Sequence, residues 1–184
     1  SDIVLGPVSS GDIRRLVESI PSDKIVVSPL DQRAEPLTSS YVNIVQAPTP
    51  HRAQYSDLMA WIREDMQEGD KVFIISEKGA RVTDAINQMN AAIEASGLTY
   101  LPYTYNILEG RDVIEPLTAM MTADAANRVF IASESEAFVN DVVRNLNILV
   151  YNKLDIVLYA PSKIRSFDTI EVENLHNVAA HVSL

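Results

Sequence analysis

Short β-branched runs alternate along this chain with longer stretches of helical period, the pattern that produces parallel strands joined by crossover helices. Ile3-Val4-Leu5 reads as a first strand closed by Gly6-Pro7. Ser9 or Ser10 then caps a helix whose Ile13, Leu16, Val17 and Ile20 share one face, and Pro21 ends it. Ile25-Val26-Val27 is a second strand running into Ser28-Pro29-Leu30 and a polar loop through Pro36; Tyr41 to Val45 is a third. Ala47-Pro48-Thr49-Pro50 forces extended backbone and marks a crossing between two lobes. Beyond it the pattern predicts a helix over His51 to Glu68 stopped by Gly69, and a buried strand at Lys71 to Ile75. A helix presenting Val82, Ala85, Ile86, Met89 and Ile93 follows, stopped at Gly97. Leu98 to Leu101 reads as a short strand, Tyr103 to Gly110 as a loop and Asp112 to Met121 as a helix. Arg128 to Ala132 is a strand, Phe138 to Val150 a helix and Asp155 to Tyr159 the last clear strand. Val178 to Leu184 reads as a terminal strand or a connection. The fold class is α/β, a Rossmann-like parallel sheet flanked by helices.

Composition narrows the class of partner. The 184 residues are 47 % hydrophobic and 22 % charged, which excludes collagen-like, disordered and disulfide-stapled proteins and suits one domain or two small lobes. A formal charge of −10 argues against nucleic acid or an anionic membrane as the main partner, since both repel an acidic surface whose cations are scattered. No apolar run approaches the ~18 residues of a membrane span. The absence of cysteine removes disulfides, thiolate catalysis and cysteine metal sites.

The strand-end loops, where open parallel sheets bind ligands, carry none of the strong enzyme motifs. There is no glycine-rich dinucleotide turn, no phosphate loop and no G-x-S-x-G elbow. His176 and His181 lie about 140° apart on a helix and on opposite faces of a strand, so they do not converge on a metal. The expectation is a chain without catalysis, metal or cofactor. Three loops are candidates for binding. Ser9 and Ser10 either cap a helix or offer hydroxyls to a ligand at its N-terminus; Ser28 to Asp31 is a proline turn or a binding loop; Ser76 to Arg81, with Glu77, Lys78 and Arg81, is a solvated loop or a charged one facing a ligand.

The runs Asp2-Ile3-Val4-Leu5-Gly6-Pro7-Val8-Ser9-Ser10, Lys24 to Leu30 and Tyr41 to Val45 resemble the middle of a type I periplasmic binding protein, of the leucine and branched-chain amino-acid receptor kind. Lys71 to Ser76 with its helix, and Arg128-Val129-Phe130-Ile131-Ala132-Ser133, resemble the second lobe's strands. The resemblance implies two lobes closing on a small polar ligand such as an amino acid or peptide, as in the substrate-binding proteins of ABC transporters. It carries Ser9, Ser10, Ser28 and Asp31 over as first-lobe ligand contacts. In the second lobe, Arg81 and Glu134 stand where the family often has aromatic residues. The tail Leu158-Tyr159-Ala160-Pro161-Ser162-Lys163-Ile164 with Phe167-Asp168 looks closer to divergent members linked to envelope lipoproteins, including activators of penicillin-binding proteins and LysM-linked Bacteroidetes proteins. Glu77 and Lys163 complete the candidate set. On this likeness, residues 1–46 are a partial first lobe entered at its third strand, 47–177 the second lobe and 178–184 the return connection, so the chain is a fragment of a two-lobe fold. It implies an extracytoplasmic protein, lipoprotein-anchored through upstream sequence, with a small-molecule ligand as partner and a homodimer allowed. The alternative is a ligand-free scaffold or regulatory module in envelope and peptidoglycan assembly.

Overall fold

The computed structural model describes residues 3–6, 9–28, 37, 40, 41, 43–46 and 51–183. The chain divides into two compact units, Ser1–Ala53 and Gln54–Leu184. Both are α/β with parallel strands, as the alternation predicts.

In the first unit, β1 (Ile3–Leu5), β2 (Ile25–Ser28) and β3 (Ile44–Gln46) form a parallel sheet in that order, with Ile3 opposite Ile25 and Val26 opposite Ile44. Helix α1 (Ser10–Ser19) covers one face. Its Ile13 and Val17 are buried with Val26, Leu37 and Ile44, which is why its apolar residues recur every three or four positions. Gly6 is required by close approach. Its N–H donates to Val27 O at 2.8 Å, and a Cβ there would stand 3.0 Å from Val26 Cγ1. Ile3, Leu5 and Ile25 are exposed.

The second unit holds five parallel strands: β4 (Lys71–Glu77), β5 (Leu101–Tyr105), β6 (Asn127–Ala132), β7 (Ile156–Ala160) and β8 (His181–Val182), ordered β5-β4-β6-β7-β8. Helices α2 (His51–Asp65) and α3 (Asp84–Ser96) cover one face; α4 (Ile114–Met120), α5 (Glu136–Tyr151) and α6 (Val172–Asn177) cover the other. Strand alternation sorts the core between these layers. Val72, Ile74, Phe130 and Tyr159 pack toward α2 and α3, whereas Phe73, Ile75, Val129, Ile131 and Leu158 pack toward α4 and α5. β6 is buried at all its positions, as a central parallel strand must be.

Several segments differ from the sequence expectation: the third strand, read at Tyr41 to Val45, runs from Ile44 to Gln46, and Val82, read on the face of a helix, lies exposed ahead of α3. The strand expected at 98–101 instead runs from Leu101 to Tyr105, taking in residues read as a loop; β5 is an edge strand, the place in a sheet where a proline such as Pro102 is tolerated. The helix expected from Asp112 begins at Ile114, which keeps Pro116 in the first turn; a 3₁₀ segment, Ile107–Val113, precedes it, broken at Gly110 with φ 54°. Within the segment 178–184, read as a terminal strand or a connection, His181 and Val182 form the strand β8 of this sheet, His181 opposite Tyr159 and Val182 opposite Ala160.

Candidate functional site

The strand order of the second unit places its topological switch between β4 and β6, because the chain leaves β4 toward β5 on one side and returns at β6 on the other. Open sheets bind ligands in the crevice outside the carboxyl ends of the strands beside such a point. Three connections meet there: 78–83 after β4, 133–135 after β6, and the 3₁₀ segment Ser162–Ser166 after β7.

Glu134 ties all three together. Thr83 caps α3 by accepting the Ile86 N–H at 3.2 Å, and its hydroxyl donates to Glu134 Oε2 at 2.7 Å. The Lys163 ammonium donates to Glu134 Oε1 at 3.3 Å. Behind this bridge lies a narrow, mainly apolar crevice walled by Met89, Ile131, Val139, Leu158, Ile164 and Phe167, with room for about one water molecule. Tyr55, 3 % exposed, closes one side. Burial, with a smaller contribution from the Glu134 charge, pushes its hydroxyl up to about 12, so the phenol is neutral at physiological pH.

The rim is held by fixed polar contacts. Ser135 caps α5 by accepting the Phe138 N–H at 3.3 Å, and Ser133 Oγ accepts the Ser135 N–H at 3.1 Å. Gln54 Oε1 accepts from Ser162 Oγ at 2.9 Å and from Ser183 Oγ at 3.4 Å, joining α2 to the end of the sheet. Glu136 accepts both the backbone N–H and the hydroxyl of Thr169 at 2.8 Å, which holds its carboxyl below the usual range and anchors the turn that carries Phe167. Thr83→Ala removes a helix cap and one leg of the Glu134 bridge; it is expected to lower stability by about 1 kcal/mol, read as a shift in the urea midpoint at unchanged slope.

Of the residues singled out in the sequence, Glu134 and Lys163 come together as an ion pair. Glu77 is half-buried at the end of β4 and Arg81 is exposed on the following loop; among the described residues neither side chain is bonded to that pair. Ser9 caps α1, accepting the Asp12 N–H at 3.3 Å and donating to Asp12 Oδ2 at 2.7 Å. Ser10 opens α1 and Ser28 ends β2, but their side chains, like the whole of Asp31, lie outside the described residues. Thr83, Tyr55, Gln54 and Ser162 were not singled out. Only Thr83 had a local signal, a hydroxyl residue just before an apolar helical period.

A second polar cluster lies on the α2 face. Arg128, 8 % exposed, donates through Nε to Asp70 Oδ2 and through Nη1 to the Tyr159 hydroxyl, each at 2.8 Å; Tyr159 donates to Asp65 Oδ2 at 2.6 Å. Beside it the Tyr159 and His181 rings stack, Trp61 meets both edge-to-face, and His181 Nε2 stands 4.0 Å from Asp65 Oδ2.

No protein-family model matches this chain, and no curated protein matches it significantly. Among the described residues no group of histidines and carboxylates is placed to hold a metal ion, and no helix is long and apolar enough to cross a membrane.

Proposed function

We propose that this chain is a receptor-type domain that binds a small solute without transforming it, and that the second unit's crevice beside Glu134 and Lys163 is a binding place. The observation that carries this reading is an apolar cleft at the carboxyl ends of the strands, next to the topological switch, with one ion pair at its mouth. Binding rather than catalysis fits the hydroxyls of the rim. Thr83 and Ser135 are occupied as helix caps, and Ser162 donates to an amide oxygen. Extracytoplasmic solute capture, of the kind that serves ABC transporters, is the use that the likeness to type I periplasmic binding proteins supports.

Thermal-shift screening of the intact chain against amino acids, small peptides, muropeptides and aliphatic acids tests the reading. A ligand at a hundred times its Kd adds about 2.7 kcal/mol, a rise of roughly 5–10 °C for a domain of this size. A library in which nothing moves the transition contradicts it.

A further inference from the structure

We propose a second binding site, on the outer side of α5, that takes a sugar carrying an oxyanion, either phosphate or carboxylate. The site shares no lining residue with the crevice beside Glu134, so neither reading depends on the other. An open depression of about 340 Å³ lies where the 3₁₀ segment Ile107–Val113, α5 and α6 adjoin, a volume within the range of small-molecule sites. Its lining is mainly polar, with Arg111, Asp141, Arg144, Asn145 and Asn174 around it.

Asn145 is the buried member of this set, 4 % exposed. Its Nδ2 donates to Asp141 Oδ2 at 3.1 Å, to Gly110 O at 3.3 Å and to the Tyr105 hydroxyl oxygen at 3.4 Å. Tyr105 in turn donates to Asp141 Oδ2 at 2.7 Å, and burial pushes its hydroxyl well above the ordinary phenol value, so it stays a donor. Because all three neighbours accept, the orientation of the Asn145 amide is fixed by its bonds. Its Oδ1 is then left with no donor among the described residues, and a buried acceptor of that kind calls for one.

The charges beside it call for the opposite. Arg111 and Arg144 are exposed, and among the described residues neither guanidinium has a hydrogen bond or an ion pair. Asp141 is engaged by Tyr105 and Asn145, and Glu109 of the 3₁₀ segment accepts the Asn106 N–H in a capping box. Two unpaired guanidinium groups at one depression, in a chain of net charge −10, match a phosphate or carboxylate, whose oxygens accept from the planar fork two at a time. The donor that Asn145 Oδ1 lacks is a neutral one, because an ammonium would lie beside the two arginines as a like charge. Asn174 adds an amide side chain with no partner among the described residues, able both to donate and to accept. Hydroxyls do both as well. A molecule with an oxyanion at one end and neutral hydroxyls along its body is a sugar phosphate or a sugar acid.

Isothermal titration of the intact chain with glucose 6-phosphate, glucuronate, glucose and inorganic phosphate tests this. At least one of the two acidic sugars should bind about tenfold more tightly than glucose, the gain of charge-assisted bonds over neutral ones. It should exceed inorganic phosphate by a similar factor, since that ion has no body to reach from the arginines to Asn145. Which acidic sugar binds distinguishes phosphate from carboxylate. Arg111→Gln and Arg144→Gln, both at exposed positions, should each weaken that ligand about tenfold, and the NMR signals of the Asn145 side-chain amide should shift on binding. Glucose or inorganic phosphate binding as tightly as the acidic sugars, binding unchanged in both arginine variants, shifts that leave Asn145 untouched, or no binding by any probe overturns the proposal. The four-probe comparison uses the unaltered chain and so does not depend on any variant folding.

Discussion

Arg128→Met is expected to destabilise the second unit by about 3–5 kcal/mol, the cost of leaving a buried carboxylate without its counter-charge. The Arg128 side chain is 10 % exposed and that of its partner Asp70 only 3 %, with the guanidinium Nη2 at 2.8 Å. Asp70 sits where three segments meet: its Oδ1 accepts the Ala126 N–H at 3.0 Å and its Oδ2 the Gln67 N–H at 2.9 Å, fixing the entries to β6 and β4. Methionine fills most of the arginine's volume but offers no donor to Asp70 or to the Tyr159 hydroxyl. A fall in Tm of roughly 6–20 °C is the result to look for. Asp70→Asn on the Arg128→Met background should recover part of the loss, because the unpaired charge is gone; a double variant no better than the single one would contradict the account.

The same carboxylate makes stability depend on pH. Burial pushes Asp70 up, but the N–H of Gln67, the Arg128 guanidinium and the N–H of Ala126 outweigh it and hold the group below the usual aspartate range. A carboxyl depressed in the folded state contributes its stability above the unfolded value of about 3.9 and loses it as pH falls through the lower folded value. Urea midpoints should therefore be level from pH 7 to 5 on this group's account and fall below about pH 4. Asp70→Asn should flatten that acid limb.

Leu158→Ala carries the second large effect, about 2–5 kcal/mol. Leu158 is fully buried, pairs across the sheet with Val129 and forms a wall of the crevice. Its truncation removes core packing and leaves a cavity beside the crevice. The variant should melt well below the parent, read as a shift in its thermal transition. A loss below about 1 kcal/mol would mean that the core around β7 closes over the gap.

What the sequence makes legible here is local. The runs at Lys71 and Arg128 are continuous apolar stretches, and they become β4 and β6, buried from both sides. Gly97 stands at φ 66° just after α3, where the periodicity stops. Tyr103 to Tyr105 was hidden because a proline within a strand reads as a breaker until the strand is known to be an edge. The short α6 and β8 lack enough positions to show a period. Glu134 and Lys163 were reachable one at a time, from their places after β6 and β7, but the contact that makes them a pair spans 29 residues. Nothing local announces the Arg128 cluster either: its bonds to Asp70 and Tyr159 cross 58 and 31 residues, and Tyr159 reaches Asp65 across 94. In the resemblance Arg128 is one letter of a strand; in the fold it is the centre of a buried network.

The crevice as a place of binding is tested most directly by amide NMR shift mapping of the intact chain during titration with the solute that raises the thermal transition most in the screen. The account predicts that the largest changes fall on residues 133–135 and 161–164 and on Tyr55, and saturate with a single Kd. Changes confined to other loops, or spread evenly without saturation, would contradict it.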